Sequence, residues 1–219
     1  MNKVLAEQDT AVSGARRIVL ASGNAAKRAE IERLLAGRAV EVVPQSDLFD
    51  GQAAETGMTF AENALIKARF AAERSGLPSL ADDSGLEVDA LGGAPGIHSA
   101  RFAGPGASDA DNLHRLLEAL DGVPDERRTA RFRCVICFLC HAVDPQPAFC
   151  EGVWEGRIAR QPRGSNGFGY DPVFLPGDGP LTAAELDPAV KNMQSHRGQA
   201  LSAWARRFAP PPASPAARR

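Results

Sequence analysis

The chain has 219 residues, a length that fits a single domain with a sizeable core or two closely joined lobes. Its hydrophobic content of 44% and charged content of 24% are typical of a soluble globular protein. The formal net charge of −2 argues against a general electrostatic attraction to nucleic acid, and no stretch approaches the roughly 18 apolar residues of a membrane span. We therefore expect neither a nucleic acid nor a membrane as a partner.

Both ends of the chain have the composition of segments outside a folded core. Residues 1–16 carry scattered polar and charged groups without the apolar stretch of a signal peptide, so we expect a disordered extension and a cytoplasmic protein. Residues 209–219 read APPPASPAARR, a low-complexity sequence that predicts a disordered tail. A single folded domain is expected at 17–208.

The folded region alternates strands and helices at first and then pairs strands. In chain order we predict a strand at 17–21, a helix at 25–35, a strand at 40–43, helices at 59–74 and 108–120, strands at 130–142, 149–159 and 172–175, and a helix at 198–208. Asn24 is the predicted N-cap of the first helix, and Thr59 with Glu62 has the spacing of a capping box. This order predicts an α/β fold with a mixed sheet flanked by helices.

The junction between the first strand and the first helix is a candidate anion site. It consists of Ser22, Gly23, Asn24, Ala25, Ala26 and Lys27. Free amides at a helix N-terminus and the helix dipole favour a bound phosphate, and Lys27 lies in the first turn. The competing interpretation is a capped helix with a solvated lysine.

The stretch Leu80–Arg101 carries the densest chemistry. An apolar run leads into Asp82 and Asp83, a Ser-Gly pair that predicts a turn follows, and the glycine-rich loop Gly92–Gly96 is expected to form a wall of a cleft. Neighbouring side chains on a strand point to opposite faces, so one carboxylate should face a ligand while the other supports it. With Glu55, these acids could supply oxygen ligands for Mg²⁺, although an Asp-Asp pair also occurs in turns and caps.

Two later segments could contact a nucleobase. Glycines surround Phe168, so this ring is presented by a loop and could stack on a base, or it could plug the core under the loop. Lys191, His196 and Arg197 precede the last predicted helix and bring hydrogen-bond donors together. They could contact the carbonyl edge of a purine, or they could form a solvated helix entrance.

Three cysteines have the CxxCxxC spacing of a metal site. Cys134, Cys137 and Cys140 are separated by Val, Ile, Phe and Leu residues, which favour a strand rather than a metal-binding turn. On a strand Cys137 would point away from the other two thiols. We therefore interpret the cysteines as structural, with a zinc-binding interaction module as the alternative.

Six ordered motifs resemble those of one enzyme family. They are SGNAAK at Ser22–Lys27, ETGMTF at Glu55–Phe60, ENALIKA at Glu62–Ala68, ADDSGLEVDALGGAPG at Ala81–Gly96, GFGYDPVF at Gly167–Phe174 and SHRG at Ser195–Gly198. Together they resemble the inosine/xanthosine triphosphate pyrophosphatase family, also known as the Ham1 family, over roughly Arg17 to Phe208. The resemblance implies an elongated mixed sheet, two lobes with a cleft between them, and a homodimer.

The resemblance also implies an activity. Members hydrolyse purine nucleoside triphosphates whose base is hypoxanthine or xanthine, and the products are the monophosphate and pyrophosphate. The reaction requires Mg²⁺, and it cleanses the nucleotide pool. By motif, Glu55 and Asp83 hold the metal, and Asp83 is the acceptor that activates water. Ser84 lies at the substrate. The triphosphate would contact Ser22, Gly23, Asn24, Ala25, Ala26 and Lys27, and the base would contact Phe168, Gly169, Tyr170, Asp171, Lys191, His196 and Arg197. Hydrolysis of other modified nucleotides, or nucleotide binding without catalysis, are the alternatives.

Overall fold

The computed structural model describes residues 16–209. Its strands and helices are β1 Arg16–Ala21, α1 Ala25–Leu35, β2 Val40–Pro44, α2 Phe60–Ser75, β3 Ser79–Val88, α3 Asp109–Ala119, β4 Thr129–Leu139, β5 Ala148–Ile158, β6 Phe174–Pro176, α4 Pro188–Gln194 and α5 His196–Phe208. Between 16 and 209, no helix is long and apolar enough to cross a membrane. Most of the two segments predicted to be disordered lies outside the described residues, although Arg16 begins β1 and Ala209 is buried.

The strands form one mixed, open sheet in the order β2-β1-β3-β4-β5-β6. β2, β1 and β3 run parallel, whereas β3, β4, β5 and β6 pair antiparallel. Parallel neighbours require helical crossovers, which α1 and α2 supply, while antiparallel neighbours need only short loops. The predicted mixed sheet is confirmed.

β1 ends well before its neighbour β3 does. β1 pairs with β3 only from Val19 to Ala21, opposite Ser79 to Ala81, and β3 continues for seven more residues to Val88. The edge of β3 that faces β1 is therefore not covered by β1 from Asp82 onward. Ligands of α/β sheets commonly bind at the carboxyl ends of parallel strands, so this step creates the natural place for a site.

Alternate residues of the long strands pack against different helices. Leu80 and Ile136 belong to a core cluster with α1 and α5, whereas Ala81 and Cys137 belong to a cluster with α2 on the other face. A further cluster begins at Leu86, on the same face as Leu80, and includes residues of α3 and β6. Asp82 and Ser84 occupy the interval between two apolar clusters on one face of the sheet.

The cysteines follow this alternation. Cys134 and Cys137 are buried on opposite faces of β4, and Cys140 is exposed after the strand. Burial raises the pKa of the Cys134 and Cys137 thiols to about 12, so both stay protonated. Their burial supports the interpretation as structural thiols, and the Cys134 and Cys137 side chains point away from each other.

The structure corrects three local predictions. Ser84-Gly85 is not a turn, since β3 runs straight through it. A glycine is needed at position 85 because a Cβ atom there would lie 2.3 Å from the carbonyl oxygen of Gly96. β4 ends at Leu139 rather than residue 142, because the Asp144 side chain accepts from the Cys140 amide and begins a turn. The helix α4 was not predicted, because it has only 7 residues, although Asp187 and Pro188 have the residue types of an N-cap and a first helical position.

Candidate active site

A cleft opens where β1 and β2 end. Its wide part has a volume of about 590 Å³, and a narrower part adjoins it through the shared residues Asn24, Lys27 and Ala100. Charged residues in the wide part are Lys27, Glu55, Lys67, Asp82 and Arg101. The narrow part is lined by Ser84, Ser99, Asp109, Phe132, Phe168, Gly169, Tyr170, Asp171, Lys191, His196 and Arg197, among others. The two parts adjoin and have different linings.

The start of α1 lies at the junction of the two parts. Asn24 caps the helix, since its Oδ1 accepts from the Lys27 amide at 3.0 Å, as the sequence predicts. Ser22, Gly23, Asn24 and Lys27 line the wide part, but Ala25 and Ala26 do not. The Nζ atom of Lys27 lies 3.2 Å from Oδ2 of Asp82. A helix N-terminus beside an ammonium group is suited to bind an anion.

Lys67 joins the two carboxylates that the sequence assigns to a metal. Its Nζ atom lies 2.7 Å from Oδ1 of Asp83 and 2.9 Å from Oε1 of Glu55. Burial raises the pKa of Asp83, and Lys67 offsets only part of that effect. Burial also acts on Glu55, but there Lys67 outweighs it and lowers the pKa. Asp83 is buried and does not line the wide part, because Lys67 covers it.

The donor set fits a magnesium ion. Within the described part of the chain, no three His, Cys, Asp or Glu side chains form a cluster that could hold a metal by themselves. Oxygens of Glu55 and Asp83 nevertheless converge on one cation, the Lys67 ammonium. Mg²⁺ needs only one or two carboxylates, because it keeps several waters and accepts phosphate oxygens from a substrate. These two side chains are therefore suited to share such an ion.

Arg197 is the centre of a buried polar network behind the narrow part. Its guanidinium donates to Glu30 of α1, to Oδ2 of Asp82 at 3.3 Å and to Oγ of Ser84 at 2.8 Å. Burial alone would raise the pKa of Asp82, but Lys27 and Arg197 outweigh it and hold that pKa well below its ordinary value. Burial also opposes the charge of Arg197, yet Asp82 and Glu30 raise its pKa. Asp82 and Arg197 therefore both remain charged although they are buried.

A second buried ion pair supports the loop that carries Phe168. The Nζ atom of Lys191 lies 2.7 Å from Oδ2 of Asp171, and the same oxygen accepts from the Phe168 amide at 2.8 Å. The Phe168 ring lies beside both cations, with its centroid 5.2 Å from Nζ of Lys191 and 5.7 Å from Cζ of Arg197. Two cations therefore lie against this ring, which argues against a simple hydrophobic plug.

His196 is a buried residue that lines the narrow part. Its ring stacks on Phe132 at a centroid distance of 4.8 Å and an interplanar angle of 12°. Burial and the neighbouring Arg197 and Lys191 hold its pKa well below the ordinary value, so the imidazole is neutral. Its Nδ1 atom is buried and has no hydrogen-bond partner among residues 16–209. Gly152 allows this placement, because a Cβ atom there would lie 2.0 Å from the His196 carbonyl oxygen.

The remaining predicted residues of this loop have supporting contacts. The Gly169 amide donates to Oδ2 of Asp109 at 2.8 Å, and the Tyr170 hydroxyl donates to the carbonyl oxygen of Ser99 at 2.8 Å. Tyr170 is buried in the apolar cluster with α3. Its hydroxyl thus anchors the loop to the opposite wall of the cleft.

Three charged side chains of the site were missed from the sequence. Glu30 sits in an ordinary amphipathic helix and gives no signal there. Lys67 does have a sequence signal, because it is part of the ENALIKA motif. Arg101 ends the 3₁₀ turn Gly96–Arg101, and it is this turn, not Gly92–Gly96, that lines the cleft. The cluster around Lys191 and Arg197 is buried, so it is not a solvated helix entrance.

Comparison with known proteins agrees with this architecture. The model of the Ham1 family matches residues 18–207. The dITP/XTP pyrophosphatase of Methylococcus capsulatus is 61% identical over 194 residues, which are 88% of this chain and 96% of the relative. The dITP/XTP pyrophosphatase of Vibrio cholerae is 56% identical over 85% of this chain and 93% of its own length.

Solved structures show the same fold. A HAM1 protein from Coxiella burnetii superposes with a TM-score of 0.81 at 52% identity, covering 87% of this chain and 97% of that one. The Ham1 protein of Staphylococcus aureus gives a TM-score of 0.76 at 38% identity, covering 86% and 96%. Motif order, sheet topology and sequence identity agree, and the chain belongs to the Ham1 family.

Proposed function

We propose that this protein hydrolyses purine nucleoside triphosphates that carry hypoxanthine or xanthine, in their ribose and deoxyribose forms, to the monophosphate and pyrophosphate. One observation carries the proposal: a single cleft joins a cationic helix start and a carboxylate pair to a buried polar pocket with an aromatic ring. The relatives named dITP/XTP pyrophosphatase support it. Removal of these triphosphates would cleanse the nucleotide pool.

The triphosphate occupies the wide part in this proposal. The positive end of the α1 dipole attracts the phosphates, and Lys27 turns from Asp82 toward their oxygens. Lys67 faces the same cavity and stabilises negative charge on the departing pyrophosphate. Asp82 keeps its charge when Lys27 moves, because Arg197 still contacts it.

Glu55 and Asp83 hold the metal in this proposal. When bound, Mg²⁺ neutralises charge on the phosphates and orients them for in-line attack. Asp83 positions a water molecule with its carboxylate and accepts a proton from it as the water oxygen attacks the α-phosphorus. The bond from that phosphorus to the bridging oxygen breaks, and the pyrophosphate leaves.

The narrow part selects the base. Phe168 stacks on the purine, and Lys191 and Arg197 present donors to its carbonyl edge. A 6-oxo purine has an acceptor there, whereas adenine has an amino donor that would face another donor. Glu30, Asp82 and Ser84 hold Arg197 in place before the substrate arrives, so little ordering is required on binding.

Assembly and location extend the same proposal. The family resemblance leads us to propose a homodimer in the cytoplasm, acting on a small nucleotide without nucleic acid or membrane partners. Size-exclusion chromatography with light scattering would test the dimer, since the chain mass of 23.2 kDa should double. A mass near that of one chain at micromolar concentration contradicts it.

One assay tests the activity. ITP, XTP, GTP, ATP and a methylated pyrimidine triphosphate are compared with Mg²⁺, and pyrophosphate is measured separately from orthophosphate. We expect pyrophosphate from ITP and XTP at rates far above those for GTP and ATP. Faster turnover of the methylated pyrimidine would favour a different modified substrate, and tight ITP binding without product would favour a binding protein.

A further inference from the structure

Arg101 is a cation of the wide part to which the proposed mechanism gives no role. It ends the 3₁₀ turn Gly96–Arg101 and lines the cavity. Ser99 fixes this turn, since its Oγ accepts from the Leu86 amide at 2.9 Å and donates to the carbonyl oxygen of Gly96 at 2.6 Å. The turn that carries Arg101 is thus hydrogen-bonded to β3 through the Ser99 side chain.

Arg101 lines the wide part and not the narrow part, which holds the base in the proposed function. Arg101, Glu55 and Lys67 line the wide part only, whereas Asn24 and Lys27 line both parts. A nucleotide with its base in the narrow part passes Lys27 first and extends its terminal phosphates toward Glu55 and Arg101. The geometry therefore brings a guanidinium to the end of the substrate that departs.

Arg101 pairs with Glu55, a side chain that binds the metal in the proposed mechanism. Its Nη1 atom lies 3.7 Å from Oε2 of Glu55, and no other carboxylate of residues 16–209 lies within 4.0 Å of it. In the proposed mechanism Glu55 binds the metal, and this removes much of its negative charge from Arg101. About one third of the Arg101 side chain is exposed, at 37%, so it can reorient without unpacking a core.

We propose that Arg101 binds the terminal phosphates of the substrate and the pyrophosphate product. A guanidinium is suited to this role because its planar donors match two phosphate oxygens at once. Arg101 then acts in substrate binding and product retention rather than in water activation. This inference rests on the proposed function for the statement that the bound phosphates belong to a nucleoside triphosphate. Binding of pyrophosphate by Arg101 can be tested without a nucleotide.

Calorimetric titration with inorganic pyrophosphate in the presence of Mg²⁺ tests the inference. We expect Arg101→Gln to weaken pyrophosphate binding about tenfold, as loss of one charge-assisted contact requires, and Arg101→Lys to weaken it less. Arg115→Gln is the matched control, because Arg115 pairs with Glu118 alone among residues 16–209, on the exposed face of α3. Equal affinity of wild type and Arg101→Gln would overturn the inference, and so would undetectable binding by the wild type.

Kinetics give an independent readout. With ITP as substrate, Arg101→Gln should raise KM about tenfold, weaken product inhibition by pyrophosphate and change kcat by a smaller factor. Thermal melting followed by circular dichroism shows whether the variant is folded, and Arg101→Lys replaces it if it is not. Failure of the wild type to hydrolyse ITP would refute the proposed function, whereas the pyrophosphate titration would still decide the role of Arg101.

Discussion

Lys67 covers Asp83: its Nζ atom lies 2.7 Å from Oδ1 of that carboxylate and 2.9 Å from Oε1 of Glu55. The ammonium thus occupies the position between two acids where the proposed metal would bind. In the absence of metal it compensates two carboxylates, one of them buried. Binding of a divalent cation frees it to face the phosphates.

The first prediction concerns stability without metal. Lys67→Met should lower the free energy of unfolding by about 1–3 kcal/mol in EDTA, less than the roughly 3–5 kcal/mol of a fully buried pair because Glu55 is partly exposed. Millimolar Mg²⁺ should restore part of the loss, because it supplies the missing positive charge. Thermal melting with and without Mg²⁺ measures both effects.

Arg28→Met is the control for that experiment, because Arg28 forms an exposed ion pair with Glu32 on α1. It should change the melting temperature little under either condition. If Lys67→Met melts like the wild type in EDTA, or if Mg²⁺ stabilises both proteins equally, the placement of Lys67 as a substitute for the metal is wrong.

The second prediction concerns the acceptor of the proton. Asp83→Asn should lower kcat for ITP by at least about a hundredfold, since an amide cannot accept the proton of the attacking water. Asp178→Asn, in an exposed loop away from the cleft, should leave kcat unchanged. Pyrophosphate release is followed for both variants, and circular dichroism checks their folding. Turnover by Asp83→Asn near the wild-type rate would reject its assigned role.

The third prediction concerns pH. The folded-state pKa of Asp82 is lower than that of an unfolded aspartate, because Lys27 and Arg197 outweigh burial. The unfolded chain therefore binds the proton more readily, and the stabilisation from Asp82 is complete above about pH 4 and is lost progressively below it. Asp82→Asn should cost about 3 kcal/mol at pH 7 and about 1 kcal/mol less at pH 3, because the pKa of an unfolded aspartate lies about one pH unit above pH 3.

Urea unfolding followed by fluorescence of the buried Trp154 and Trp204 measures this difference at several pH values. The raised pKa values of Asp83 and Asp171 change the stability with pH in the opposite direction. Both groups are present in the wild type and in the variant, so their contributions cancel in the difference between the two free energies of unfolding. A difference between wild type and Asp82→Asn that stays constant from pH 7 to pH 3 would contradict the assignment.

The fourth prediction concerns the base. Phe168→Leu should raise KM for ITP about fivefold to a hundredfold, because stacking on an aromatic ring contributes roughly 1–3 kcal/mol per base. Phe168→Tyr keeps the ring and should stay close to the wild type. Steady-state kinetics of both variants provide the measurement, and an equal KM for the leucine and tyrosine variants would remove stacking from the mechanism.

The sequence by itself determined the features that depend on near neighbours. Asn24 caps α1 as predicted, and the capping box of Thr59 and Glu62 is present, because such contacts span only three or four residues. The opposite directions of Asp82 and Asp83 followed from the two-residue repeat of a strand. The ordered motifs also identified the family before any contact was known.

Only the tertiary structure decided which charges meet. Glu30 and Arg197 are 167 residues apart, and nothing local to either predicts their contact. Lys67 reaches Asp83 because α2 packs across the face of β3 to which that carboxylate points. The cleft itself exists because β1 ends at Ala21 while β3 continues to Val88. Strand lengths and long-range pairing depend on how the whole sheet packs, and that information is distributed over the entire chain.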